Sequence, residues 1–331
     1  MVRLRNLVVA SLIPLAGTGL LLWLVLTPGP ALEAGPLVVD IPAHEGLLGI
    51  ADRLADAGVV RSRAAFIALS AARGSVRRLK AGEYEVPRDA STIDVVGLLE
   101  SGRVRQHIVL HPEGATLAEL ARILESSRLA PADDVLRAGN DPAVLKTLGV
   151  DAPSLEGYLF PDTYQFVRGM SVEEMLGRMV QRTRSRLTPD RLARAKALGL
   201  DAHGLLTLAS IIEREAVDPD ERRLISAVFW NRLHQDMPLQ ADPTVQYAVA
   251  KERRTLTRAD LATDNPYNTY VRRGLPPGPI ASPGLPAIDA ALDPAPVKYL
   301  YFVARDDRRH TFSTTMVEHN VAVSRYRMSR R

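Results

Sequence analysis

At 331 residues the chain has room for a membrane anchor and about two folded domains. Apolar residues form 46% of it, the share of a globular rather than a multi-pass membrane protein, and the net charge of +4 is modest for this length. Cysteine is absent, which excludes disulfides, thiolate zinc sites and a cysteine nucleophile.

The N-terminus departs from that average. Asn6 to Leu26 carries no charge and is long enough to cross a bilayer, and Pro14, Gly17 and Gly19 are tolerable within a membrane helix. Arg3 and Arg5 precede the run and no Lys or Arg follows before Arg53, so residues 1–5 are expected in the cytoplasm, 6–26 in the membrane and the rest exported. A cleaved signal peptide is the competing reading, but the run is longer than its usual apolar core and no small-x-small site follows. Residues 27–36, rich in Pro, Gly and Ala, read as an extended linker.

Leu37 to Ile41 reads as a strand leading through Pro42 and Glu45-Gly46 into an amphipathic helix with Ile50, Ala51 and Leu54 on its apolar face. The same order returns as His107 to Leu110, Pro112, Glu113-Gly114 and a helix with Leu120, Ala121 and Leu124, where Thr116 and Glu119 offer a capping box. Between the copies, the pattern predicts a helix over 62–72, a strand over 80–86 and a helix capped by Thr92 and ended by Gly102. Residues 37–103 are therefore expected as a small α/β module, a shape that suits carbohydrate binding.

From Ser154 the motifs crowd together. Leu155 to Tyr164 mixes aromatic residues with Gly and Pro, as a cleft-lining loop does; Ser171 with Glu174 forms a second capping box, and Thr188-Pro189 opens the next helix. Leu205 to Ala216 follows, with apolar positions over well more than half of the helical wheel and two glutamates at its end. Burial raises a carboxyl's pKa, keeping a glutamic acid protonated near neutral pH and able to donate to a leaving oxygen. Glu213 and Glu215 point in nearly opposite directions, and periodicity does not choose between them. The alternative is a helix end whose acids pair with Arg214, Arg222 or Arg223 on the surface.

Asp218-Pro219-Asp220-Glu221 opens a partner helix with Leu224, Ile225, Val228, Phe229 and Leu233 as its core face. Asp242-Pro243 reads as another helix start, with Asp242 as its N-cap. Five prolines and glycines from Gly274 to Pro279, then Pro283-Gly284, make a stiff loop, a cleft wall or a rigid connector. Lys298 to Ala304 and His310 to Ser313 read as a hairpin, 315–326 as a last helix, and the Arg-rich end as a solvated tail.

Other chemistries lack their signatures. His107 and His111 share a strand face without a third metal ligand at sensible spacing, so no metal site is expected. There is no Gly-x-Ser-x-Gly elbow, P-loop or dinucleotide fingerprint, and hence no cofactor is expected. Carboxylate chemistry remains, and glycoside hydrolysis ordinarily needs two carboxyl groups where this sequence offers one well-placed candidate.

The motifs resemble those of the membrane-anchored endolytic murein transglycosylases. Leu208 to Glu215 is similar to that family's catalytic helix, Val228 to Leu233 to the helix after it and Leu239 to Val245 to a third motif. Tyr267 to Tyr270, the loop from Gly274 to Gly284 and His310 to Ser313 are similar to others. The resemblance implies an α+β chain: a single transmembrane helix, a LysM-like subdomain over 37–103, and a mainly helical catalytic domain over 104–331 with short strands and a C-terminal hairpin.

By the same resemblance Glu215 is the catalytic acid, and Gln240, Asp242, Asn268, Tyr270 and His310 are candidate substrate contacts. The implied reaction cuts the bond between N-acetylmuramic acid and N-acetylglucosamine inside nascent peptidoglycan strands. Glu215 protonates the leaving oxygen and then takes a proton from the muramic C6 hydroxyl, which closes a 1,6-anhydro ring. The implied setting is the inner membrane, with a periplasmic catalytic domain and glycan-polymerising synthases as partners. Arg214, Ala216 and Ala241 stand where Lys, Thr and Thr are common, which bears on substrate contacts more than on the chemistry. Two rivals remain: a water-using muramidase, with Glu213, Asp242 or Glu156 as its second carboxylate, and a non-catalytic peptidoglycan-binding scaffold.

Overall fold

Short strands and many helices make a mixed α+β chain, described for residues 17–30, 37–251, 254–306 and 308–329 in a computed structural model. It divides into two units, one of residues 1–107 with 165–170 and one of residues 108–164 with 171–331.

In the first unit, β1 (Leu37–Ile41) and β2 (Gly82–Val86) pair antiparallel, with Val39 opposite Tyr84. Alternation sends Val39 and Ile41 inward, onto the apolar faces of helices Leu47–Asp56, Arg63–Ala72 and Thr92–Ser101. Tyr84 is fully buried, and its hydroxyl reaches the Lys80 carbonyl at 2.7 Å, which satisfies the polar end of a core ring. The helix expected to be capped by Thr92 is capped by Ser91 instead, in a box with Asp94, while Gly102 ends it at φ 68°. Thr92 points inward and donates to the Leu24 carbonyl. Of the expected membrane span, residues 6–16 lie outside the described residues, and Gly17–Leu26 is an apolar helix with Leu20, Leu21, Leu22, Trp23 and Leu26 exposed. Among the described residues no single helix is long and apolar enough to cross a membrane.

In the second unit, helix α1 (Ala202–Glu215) is the centre of the core. All residues from Leu205 to Ile212 are buried, against α2 (Arg222–His234), α3 (Asp242–Ala248) and α4 (Leu285–Leu292). Burying Leu205, Leu206, Leu208, Ile211 and Ile212 contributes on the order of 10 kcal/mol, which outweighs the cost of carrying a carboxyl into the same place. The hairpin partner α2 is buried on nearly every side, since Ser226, Ala227 and Trp230 join its expected face. A one-turn 3₁₀ segment, Pro219–Glu221, precedes it, capped by Asp218. The C-terminal hairpin pairs Tyr301–Ala304 with His310–Ser313. Strand Asp162–Val167, the helices Ala132–Asn140 and Pro142–Thr147, and α4 carry no expectation from the sequence.

Candidate active site

The two glutamates at the end of α1 diverge, as their spacing requires. Glu213, with a side chain only 6% exposed, accepts the Gly284 N–H at 2.9 Å and lies 3.5 Å from the Arg222 guanidinium. Burial is the main cause that raises its pKa, and the neighbouring Glu113 adds to it. Gly284 is the N-cap of α4, and a side chain there would require the Glu113 side chain to move.

Glu215 faces the other way. The residue is half-buried overall, and the dense protein around its carboxyl governs its charge. Burial first, and then the negative charge of Asp242, push its pKa up to about 8. The backbone N–H of Asp242 and the charges of Arg214 and Arg232 pull in the opposite direction without cancelling this. The carboxyl is therefore protonated at neutral pH and ready to donate.

Asp242 starts α3, but its side chain does not cap the helix. Its Oδ1 accepts the Tyr270 hydroxyl at 2.6 Å, and it stands exposed beside Glu215. The expected cap is thus replaced by the hydrogen bond from the Tyr270 hydroxyl. Thr269 Oγ1 accepts the Ala241 N–H at 3.0 Å and meets Thr244 Oγ1 at 2.8 Å. Burial and the charge of Asp242 and Glu215 raise the pKa of Tyr270, so its hydroxyl remains a donor.

Gln240 is exposed, in the left-handed region at φ 51°, and its side-chain oxygen accepts from Arg232 at 3.2 Å. Arg232, which lies in the Val228 to Leu233 motif, carries no role of its own from the sequence. It is buried, with bonds to the Leu300 carbonyl at 2.7 Å and the Leu239 carbonyl at 2.9 Å, and it lies over the Tyr301 ring. It thereby joins α2 to the segment before α3 and to the hairpin, and places a positive charge within electrostatic reach of Glu215.

Asn268 and His310 sit differently. Asn268 is fully buried; its amide donates to the Leu261 and Thr263 carbonyls and its oxygen accepts the Tyr270 N–H at 2.9 Å. Its side chain shapes the loop that presents Tyr270. His310 bonds to Glu221 through both its backbone N–H and Nδ1, the latter at 2.7 Å, and none of these bonds reaches Glu215, Asp242 or Tyr270. Glu156, a candidate second carboxylate, accepts the Leu117 N–H at 3.0 Å.

The proline-rich loop runs beside α1 and is fastened to it at successive levels: His203 Nε2 to the Pro277 carbonyl at 2.8 Å, the Ile280 N–H to Ser210 Oγ at 3.0 Å, and Gly284 to Glu213. Gly157, at φ 76°, lets the loop after Leu155 press against Pro279. The wall is rigid because each end of it is bonded to the helix that carries the acid.

A protonated carboxyl on a rigid helix end, with one further carboxylate beside it, defines an acid-catalyst type of site. The chain belongs to the YceG-like family, which its residues 39–325 match. It is 33% identical over 304 residues to the endolytic murein transglycosylase of Bacillus subtilis strain 168, covering 87% of this chain and 84% of that protein. It is 32% identical over 299 residues to the endolytic murein transglycosylase of Streptococcus pneumoniae strain D39, covering 81% of this chain and 54% of that protein. A crystallised yceG-like protein from Listeria monocytogenes has the same fold, with a TM-score of 0.61 and 34% identity over 87% of this chain and 99% of the other.

Proposed function

We propose that the protein is an endolytic peptidoglycan lytic transglycosylase that cleaves the N-acetylmuramic acid to N-acetylglucosamine bond within glycan strands and leaves 1,6-anhydromuramic ends. The observation that carries this reading is Glu215, a carboxyl protonated at neutral pH in a half-buried residue beside the Asp242 carboxylate. The names of the bacillar and streptococcal relatives support the same substrate.

In this reading Glu215 gives its proton to the leaving oxygen. The Asp242 carboxylate, whose Oδ1 is held by Tyr270, faces the positive charge that develops at C1. Glu215, now anionic and stabilised by the Asp242 N–H, takes the proton of the muramic C6 hydroxyl as that oxygen bonds to C1. The nucleophile belongs to the substrate, so neither water nor a second general base is required. Gln240 and Tyr270 are the polar groups placed to contact sugar; Asn268 acts through Tyr270, and His310 contacts substrate further along the cleft.

We also propose that residues 6–26 anchor the chain in the inner membrane as a single span, with the N-terminus cytoplasmic and the catalytic domain periplasmic. The charge-free run and the exposed leucines of Gly17–Leu26 support the anchor. The module over 37–103 is then LysM-like, and glycan-polymerising synthases are the partners that release nascent strands nearby.

The Asp242 carboxylate beside Glu215 also suits a muramidase that uses water, and product analysis separates the two. Mass spectrometry of peptidoglycan digested by the full-length protein is expected to give internal fragments with 1,6-anhydromuramic ends, absent with Glu215→Gln. Reducing muramic ends would make it a hydrolase, and no cleavage of uncrosslinked strands would leave a binding scaffold.

A further inference from the structure

A cavity of about 320 Å³ opens beside helix α5 (Leu117–Ser126), away from the reacting groups described above. Its walls are apolar where Leu117, Leu136, Tyr247 and Ala250 meet, and polar where Asn140, Ser154 and Arg122 do; the Glu156 carboxylate also lines it, with both oxygens turned to the Leu117 N–H at 3.0 and 3.2 Å. Volumes of this order accept small ligands or a short peptide.

Arg122 is the unexplained member. It is exposed and forms no hydrogen bond or ion pair among the described residues. The helix offers it acidic neighbours at both i−3 and i+3, the spacing at which pairs form, yet both are engaged elsewhere. Glu119 closes the capping box by accepting the Thr116 N–H at 2.9 Å, and Glu125 accepts the Ala132 N–H at 3.2 Å. The guanidinium is left to face the cavity mouth with its donors unfilled.

The cavity is also aligned with the acid. Helix α3 begins at Asp242, beside Glu215, and Tyr247 near its other end lines the cavity, a distance of about 8 Å along the helix. Tyr247 packs on Tyr267, ring centroids 4.9 Å apart, and Tyr267 lies in the same loop as Tyr270. Aromatic rings therefore link the loop that holds Tyr270 to the cavity, within the length of a disaccharide along α3.

We infer that this cavity is a subsite for the carboxylate-bearing stem peptide of a muramic sugar bound beside the cleaved bond. The inference rests on the peptidoglycan reading above for its substrate class. Arg122 takes a peptide carboxylate, for which its planar fork is suited, and the apolar walls take the methyl groups of alanine residues. The enzyme then reads strands by their peptides as well as by their sugars, and favours strands on which the peptides are still uncut.

The test is calorimetric and does not depend on turnover. The probe is a synthetic N-acetylglucosaminyl-N-acetylmuramyl tetrapeptide, whose one glycosidic bond is not the one cleaved, compared with the same compound carrying amidated carboxylates. The full-length protein is expected to bind the acid form about tenfold more tightly than the amide form, and Arg122→Ala to lose that preference. Arg122→Lys is expected to retain part of it, and Arg122→Ala to keep the melting temperature of the unmutated protein, since Arg122 is exposed. Equal binding of both probes, a preference that survives Arg122→Ala, or no binding of either probe would overturn the inference. Binding of this kind in a protein that yields no cleavage products would overturn the lyase reading and leave the subsite standing.

Discussion

Glu213 and Glu215 leave the same helix end two residues apart, and burial raises both carboxyls, yet their surroundings are of opposite kinds. Around Glu213 the protein is closed: a backbone N–H and a guanidinium occupy its oxygens, and its side chain is almost sealed from solvent. Around Glu215 the strongest charge effect is that of another carboxylate, Asp242, rather than of a cation, and the residue keeps part of its surface exposed. A raised pKa alone therefore does not mark a catalytic acid. What marks it is a proton that no protein group holds in place, at a position substrate can reach.

Exchanging the two acids for amides gives the largest contrast. Glu215→Gln is expected to lower kcat/KM about a thousandfold, whereas Glu213→Gln, which can still accept the Gly284 N–H, stays within about tenfold of the unmutated protein. Steady-state rates on uncrosslinked glycan strands check this, and comparable losses in both variants would erase the distinction. Tyr270→Phe removes the donor to Asp242 without altering the helix, and a loss of about fivefold in kcat/KM is expected.

The closed side is expected to matter for stability instead. Glu213→Ala leaves the Gly284 N–H and Arg222 without this partner, and a fall in melting temperature of roughly 5 °C is expected in a thermal scan. A smaller effect belongs to Glu215. Its pKa is raised in the fold, so its protonation contributes stability that is complete below the ordinary value of 4.5 and is lost progressively up to about 8. Glu215→Gln is expected to abolish that part of the pH dependence, so its melting temperature exceeds that of the unmutated protein at pH 9 by more than at pH 5. A constant offset between the two proteins would count against the raised pKa.

The contrast was only half legible in the sequence. The 3.6-residue period shows that α1 is buried and that its glutamates diverge, and the capping box at Thr116 and Glu119 is read directly from residue spacing. What closes Glu213 is an N–H of Gly284, seventy-one residues away, and no local pattern reports such a partner. Arg232 is hidden for a related reason: a cation on a helix reads as a surface residue until α2 proves buried on nearly every side. Asp242-Pro243 has the residue types of a cap, but the hydroxyl of Tyr270 competes successfully for the side chain. Likewise Ser91, one residue before Thr92, wins the cap because Asp94 stands three positions after it and completes the box. Helix α4 is nearly all apolar and short, which leaves its period unreadable.

The most direct measurement is the pH dependence of kcat/KM for the unmutated protein beside Asp242→Asn. The substitution keeps the backbone N–H that bonds Glu215 and removes the negative charge that helps to raise its pKa. Activity requiring protonated Glu215 is expected to fall on the alkaline side near pH 8, and in Asp242→Asn that fall is expected at lower pH. An alkaline limb that Asp242→Asn leaves in place, or moves to higher pH, would contradict the assignment of Glu215 as the acid.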